Sequence, residues 1–175
     1  MKKILSVAAI LAVSFFFIAT GENAEAKKFK FTSSSTKGGD LKLINSFVTW
    51  TDQANSAKPL KDFCLGNTVY FYYKVGPVQS VAGKGMPFKT RMVVEVTTRN
   101  GSKKQDLGWQ EGNGVSGEYM KKTQKFGYYH SARWNIKLAS SIDPGSDYKI
   151  TIYHNDLNSG KTVEVVYKFT TKVCQ

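Results

Sequence analysis

The sequence predicts an all-β domain, an antiparallel two-sheet sandwich of seven to eight strands. Three observations carry that reading. Short apolar runs alternate inward and outward residues with period two. Turn residues punctuate them at intervals typical of hairpins. No stretch between residues 41 and 175 keeps a helical 3.6-residue period, so a helix-covered sheet is excluded.

The elements follow in order. Leu41 to Trp50 is the first run, and Asn55 to Leu65, with Pro59, is a connection. The second run, Asn67 to Val75, puts Val69, Phe71, Tyr73 and Val75 on one face and Tyr70 and Tyr72 on the other. Gly76-Pro77 ends it, because proline lacks the ladder donor. Val78 to Pro87 is then a loop. Phe88 to Arg99 alternates Phe88, Met92, Val94 and Val96 with Lys89, Arg91, Val93 and Glu95, a strand with one wet face. Asn100-Gly101 signals a hairpin into Lys103 to Trp109.

Three glycines mark Gln110 to Gly117 as a loop, and Glu118 to Tyr129 fits neither strand nor loop cleanly. Ser131 to Ala139 is a strand with Trp134, Ile136 and Leu138 inward. The turn Asp143-Pro144-Gly145 leads to a strand at Asp147 to Asn155 with Tyr148, Ile150 and Ile152 inward. Asn158-Ser159-Gly160 turns the chain into Thr162 to Lys172, with Val163, Val165, Tyr167 and Phe169 inward. A lipocalin-like barrel is the alternative closure, but it needs more strands than this pattern supplies.

The segment from Ile142 through Asp143-Pro144-Gly145 to Tyr148 and Ile152 resembles the corner before the penultimate strand of fibronectin type III and other immunoglobulin-like domains. There an apolar residue and Pro-Gly precede a tyrosine that opens an alternating strand. The resemblance covers Ile142 to Val173 and implies an immunoglobulin-like β-sandwich. It also implies a tyrosine corner in which the Tyr148 hydroxyl bonds backbone a few residues upstream. It implies nothing about function. The two cysteines do not occupy the mid-strand positions of an antibody-type bridge, and the Gly108 to Tyr129 region is longer than a minimal domain of this kind.

Residues 1–26 read as a cleaved signal peptide: Lys2 and Lys3, an uncharged apolar run from Ile4 to Ala19, then Ala24-Glu25-Ala26 as a small-x-small cleavage site. That run is short of the ~20 residues that span a bilayer, so no stable membrane span is expected after cleavage. No cysteine lies near the cleavage site, which excludes a lipoprotein. The expected location is the periplasm, cell surface or medium, not the cytoplasm. Residues 27–40, polar and rich in Ser, Thr and Gly, read as a flexible arm with at most a short strand. Residues 41–175 form the domain.

The chain carries 25 Lys and Arg against 13 Asp and Glu, a net charge of +12. Cleavage removes two of each sign (Lys2, Lys3; Glu22, Glu25) and leaves that charge unchanged. Anionic partners follow from it. The basic residues are scattered, with no run of five, which also suits a merely solvated surface. No nucleic-acid module is recognisable, so nucleic acid is not an expected partner. Cys64 and Cys174, an even pair in an oxidising space, are expected to form a disulfide. Its long loop gives an entropic gain of ~4–5 kcal/mol in the chain-entropy model.

No motif names a reaction. His130 is expected in a loop and His154 at the inward edge of a strand. With Met86, Met92 and Met120 they compose the alternative of a soft-metal site, since copper accepts imidazole and thioether ligands, but no His-x-His cluster is present. Glu111 and Glu118 flank the glycine-rich stretch as a possible carboxylate pair for glycoside hydrolysis. No Gly-x-Ser-x-Gly elbow occurs. Asp156-Leu157-Asn158 suits an ordinary turn better than a calcium loop. Tyr70, Tyr72 and Trp109, with Lys89 and Arg91, compose a candidate binding surface if they share one face, because rigid rings offer contact area at low entropic cost.

The leading expectation is an exported, non-enzymatic binding or structural module of a bacterial cell envelope, without cofactor. It would contact a protein or an anionic glycan such as lipopolysaccharide. The alternatives are a periplasmic small-molecule or copper carrier holding its cargo at His130 and His154, and an envelope-polymer hydrolase.

Overall fold

The computed structural model describes residues 32–35, 41–52, 60–78, 81, 85–113, 116–120 and 125–174. The expected signal peptide and most of residues 27–40 lie outside them. The described chain is all β. Ten strands run as β1 (Thr32–Ser35), β2 (Lys42–Thr49), β3 (Phe63–Cys64), β4 (Thr68–Gly76), β5 (Pro87–Thr98), β6 (Gly101–Asn113), β7 (Ser116–Met120), β8 (Lys125–Lys137), β9 (Asp147–Asp156) and β10 (Thr162–Lys172).

They form two sheets. One has the order β1-β10-β9-β5-β6, with β3 also paired to β10, and the other has the order β2-β4-β8-β7. The chain passes from one sheet to the other between β1 and β2, β4 and β5, β6 and β7, and β8 and β9, and the two-residue β3 crosses over briefly between β2 and β4 to pair with β10. All pairings are antiparallel except β3 with β10, which is parallel.

The core lies between the sheets. Val69, Phe71, Tyr73 and Val75 of β4 meet Ile150, Ile152, Val163, Val165, Tyr167 and Phe169 of β9 and β10. Period-two alternation is the cause: along β4, inward residues are buried while Thr68, Tyr70, Tyr72 and Lys74 on the other face stay partly exposed. At one end the interior is a pile of rings. Phe169 stacks on Phe63 at 3.9 Å and on Tyr148 at 5.2 Å, and Phe71 lies 5.0 Å from Tyr167.

The Cys64–Cys174 disulfide closes this end. It is reinforced by the parallel pairing of Lys172 with Cys64 and by the Leu65 N–H donating to the Lys172 carbonyl at 3.0 Å. The corner before β9 is held by backbone. Gly145 N–H donates to the Thr171 carbonyl at 2.8 Å, Thr171 N–H to the Ser146 carbonyl at 2.9 Å, and Ser146 Oγ to the Asp143 carbonyl at 2.6 Å. Tyr148 is buried here. Among the described residues its hydroxyl makes no hydrogen bond to the upstream backbone, and the ring serves by stacking.

Three expectations need correction. Gln110–Asn113 is not loop but the end of β6, and Ser116–Met120 is a strand. Of the Glu118 to Tyr129 stretch, Glu118–Met120 belong to β7 and 125–129 to β8, paired from Ser116↔Tyr129 to Met120↔Lys125, and 121–124 lie outside the described residues. Two glycines of β6 shape the strand instead of ending it. Gly108 takes the left-handed conformation (φ +73°) at a bulge, where the register slips between Arg91 and Val93. Gly112 lies under the Phe88 ring, where an added Cβ would sit 2.6 Å from Phe88 Cζ.

Candidate functional site

The end of the sandwich opposite the disulfide is not apolar. β8 delivers His130 and β9 delivers His154, from opposite sheets, and both are fully buried. The expectation of a loop position for His130 therefore fails: it is a strand residue paired with Val75. The residue is inward because it continues the even-numbered inward register of Ala132 and Trp134.

His130 Nδ1 lies 2.8 Å from His154 Nε2. His130 Nε2 lies 3.1 Å from the Met86 carbonyl oxygen, and His154 Nδ1 lies 3.3 Å from the Tyr73 hydroxyl. Phe88 covers the pair, its ring 4.5 Å from His130 and 4.8 Å from His154. Behind Tyr73, the Trp134 indole donates to Thr90 Oγ1 at 3.1 Å, and both side chains partly offset the effect of burial on the Tyr73 hydroxyl.

These contacts determine the tautomers. A carbonyl oxygen only accepts, so His130 Nε2 carries a hydrogen and donates to Met86. In the neutral ring Nδ1 must then accept, and it accepts from His154 Nε2–H. That leaves His154 Nδ1 as the acceptor of the Tyr73 O–H. The result is one directed chain across the interior: Tyr73 to His154 to His130 to the Met86 carbonyl.

Burial enforces the neutral state. It pushes His154 down to about 3, with the adjacent His130 adding to the shift. Burial also lowers His130, opposed in part by the Asp156 carboxylate and by the bond to Met86. Burial raises Tyr73 well above the usual phenol range, so it remains a donor. Asp156 is tied into its own turn, accepting from Asn158 N–H at 3.2 Å and Ser159 Oγ at 2.7 Å, which is the turn reading of Asp156-Leu157-Asn158.

The histidines expected as the core of a metal alternative are thus brought together, but their facing nitrogens are bonded to each other. Among the described residues no third His, Cys, Asp or Glu joins them to make a metal-sized group. Met86 contributes its carbonyl to His130. Glu111 and Glu118 lie on strands of different sheets.

The expected aromatic surface divides in two. Tyr70 and Tyr72 stand on the outer face of the four-stranded sheet. Tyr72 stacks on Phe47 at 5.0 Å, and the Arg133 guanidinium lies 5.7 Å from Tyr70 and 5.9 Å from Tyr72. Arg133 is also paired with Asp52. On the same face Lys74 Nζ sits 4.7 Å above the Tyr129 ring and donates to its hydroxyl at 3.4 Å.

Trp109, Lys89 and Arg91 belong to the other sheet. Trp109 is 45% exposed with Lys89 Nζ 5.0 Å from its ring, and Arg91 lies over Tyr153 at 6.0 Å while pairing with Asp106. The two groups therefore share no surface.

The two faces differ in charge. Strands β2, β4 and β8 contain Lys42, Lys74, Lys125, Arg133 and Lys137 and not one carboxylate, while β7 of the same sheet contains Glu118 and Asp52 pairs with Arg133. Strands β5, β6, β9 and β10 hold Glu95, Asp106, Glu111, Asp147, Asp156 and Glu164. Glu95 alone answers both Lys104 at 3.5 Å and Lys149 at 3.3 Å. Sequence reasoning missed this partition because alternation assigns a residue to a face but not to a sheet.

No protein-family model matches the chain, and a search of curated proteins finds no match. The two-sheet all-β architecture is as far as the class can be taken from the fold.

Proposed function

We propose that this chain is an exported, non-enzymatic binding module of the cell envelope, and that it holds an anionic glycan on the outer face of its four-stranded sheet. The observation that carries the reading is the group of partly exposed rings Phe47, Tyr72 and Tyr70 beside Arg133 and Lys74, on strands that contain no carboxylate. Rings offer flat apolar area to sugar faces, and fixed cations meet carboxylates or phosphates. On the opposite face Asp106 pairs with Arg91, and Glu95 with Lys104 and Lys149.

Export is supported by the signal-like residues 1–26 and by a disulfide, a bond that persists in oxidising compartments. An immunoglobulin-like architecture is supported by strand order. With β2, β4, β5, β6, β7, β8, β9 and β10 as A, B, C, C′, D, E, F and G, the sheets read A-B-E-D and C′-C-F-G.

The test is retention of the disulfide-bonded protein on immobilised polygalacturonate at low and high salt. Retention that weakens with salt, and that is lost in the triple variant Lys74→Gln, Arg133→Gln, Lys137→Gln, is expected. The matched variant Lys104→Gln, Lys149→Gln, Lys168→Gln on the other sheet is the control. Equal loss in both variants means net charge alone acts. No retention, with salt-resistant capture of an envelope protein instead, replaces the glycan by a protein partner.

A further inference from the structure

The histidine pair is more elaborate than a structural tie needs. Apolar side chains of the same volume would hold two sheets together without burying two titratable rings, and a buried polar chain stabilises only while every member is satisfied. Its geometry has a further property: it can run in two directions. We propose that the His130–His154 pair is a pH-responsive tie between the sheets, which accepts one proton by reversing its hydrogen bonds and releases this end of the sandwich on taking a second.

The first proton can be followed atom by atom. His130 keeps its Nε2 hydrogen on the Met86 carbonyl, because that oxygen can only accept. The hydrogen of His154 Nε2 crosses the 2.8 Å gap to His130 Nδ1, making His130 the imidazolium. The added proton resides on His154 Nδ1 and points to the Tyr73 oxygen, 3.3 Å away. The Tyr73 hydroxyl turns its own hydrogen away from His154, toward the side of the pocket where Trp134 donates to Thr90 Oγ1. Every ring nitrogen stays bonded, and the balance is one proton gained by the pair.

The second proton has no such arrangement. Both rings would then carry hydrogens on the nitrogens that face each other, and two imidazolium charges would meet in a dry interior.

The surroundings hold little to offset them. From β4 the pair is faced by Tyr73. From β5 it meets Phe88 and Thr90, with Lys89 and Arg91 on the opposite face of that strand. From β6 comes Gly112 beneath Phe88, from β8 Trp134, and from β10 Val163, opposite His154, with Tyr167 behind Tyr73, all without charge at neutral pH. The charged group whose field reaches His130 is Asp156, with both carboxylate oxygens already accepting hydrogen bonds in its turn. One carboxylate matches one proton.

The experiment is long-range ¹H–¹⁵N NMR of the imidazoles in the disulfide-bonded wild-type protein, titrated from pH 8 to pH 3, with amide exchange followed in parallel. At pH 8 both rings are expected as the Nε2–H tautomer. A first step should add one proton for the two rings together, with His154 converting to the Nδ1–H tautomer in a still-folded protein. A second step at lower pH should coincide with lost amide protection at Val75 and His154 while Tyr148 and Phe169 stay protected.

Two independent single-site titrations near pH 6.5 overturn the proposal. So does His154 as the Nδ1–H tautomer at pH 8, or a second step that exposes both ends of the sandwich at once. In His154→Gln the remaining ring should titrate in a single step with no tautomer exchange. Should that variant not fold, the wild-type titration decides alone.

Discussion

The two ends of this sandwich close the same gap by opposite means. On β9, Tyr148 and His154 are six residues apart, about 20 Å along a strand, and both point inward. At Tyr148 the space is filled by stacked rings and sealed by a covalent bond; at His154 it is crossed by a directed chain of hydrogen bonds. Stacked rings and a disulfide depend on neither pH nor orientation of a hydrogen. The histidine chain depends on both. One end is therefore built to be unconditional and the other conditional, and this contrast can be attacked from either side.

The largest effect should come from the unconditional end. Phe169→Ala removes a ring that touches Phe63, Phe71 and Tyr148, and should cost about 3–5 kcal/mol by urea denaturation at any pH. Reducing the disulfide should cost ~4 kcal/mol, again equally at pH 7 and pH 5. A strong pH dependence of either loss would mean the ends are not separable.

Acid should act on the conditional end. His154 falls from an ordinary 6.5 to about 3 in the folded protein, and His130 is lowered as well. Between those values the unfolded chain binds more protons, so stability is complete above pH 6.5 and is lost as pH falls toward 3. At pH 4.5 the histidine pair should account for a loss of about 2–3 kcal/mol, at 1.36 kcal/mol per pH unit. Denaturant midpoints measured at both pH values, in wild type and His154→Gln, check this; an unchanged slope in the variant assigns the acid sensitivity elsewhere.

Smaller losses come from the chain's supports. Gly112→Ala sets a methyl against the Phe88 ring and should cost ~1–3 kcal/mol, with shifted His130 and His154 ring signals and unmoved Phe63 and Phe169 signals. Tyr73→Phe leaves His154 Nδ1 without its donor and should cost ~1–3 kcal/mol at neutral pH. Smallest of all, Lys74→Gln and Lys137→Gln on the outer face should leave stability within ~0.5 kcal/mol while weakening glycan retention, which separates surface binding from the interior.

Legibility in the sequence followed the reach of each signal. The last two strands could be delimited almost to the residue, because Tyr148, Ile150 and Ile152, then Val163, Val165, Tyr167 and Phe169, alternate without interruption between two turn motifs. β6 was cut short at Trp109 because glycine usually marks a turn, whereas Gly112 here seats a ring from the neighbouring strand. Nothing within five residues of Gly112 announces Phe88. The aromatic surface failed for a related reason: Tyr70 and Trp109 each face outward, but from different sheets.

By itself the sequence determined the class of structure, the strand faces, the cysteine pairing and the excess of positive charge, because alternation, turn chemistry, an even cysteine count and net charge are all local or additive properties. Tertiary structure alone decided which strands share a sheet, how the charges divide between the two sheets, and that two histidines 24 positions apart meet at 2.8 Å. Those are matters of pairing. The hydrogen that one ring donates is settled by a carbonyl on a third segment, and no local pattern of residues encodes that meeting.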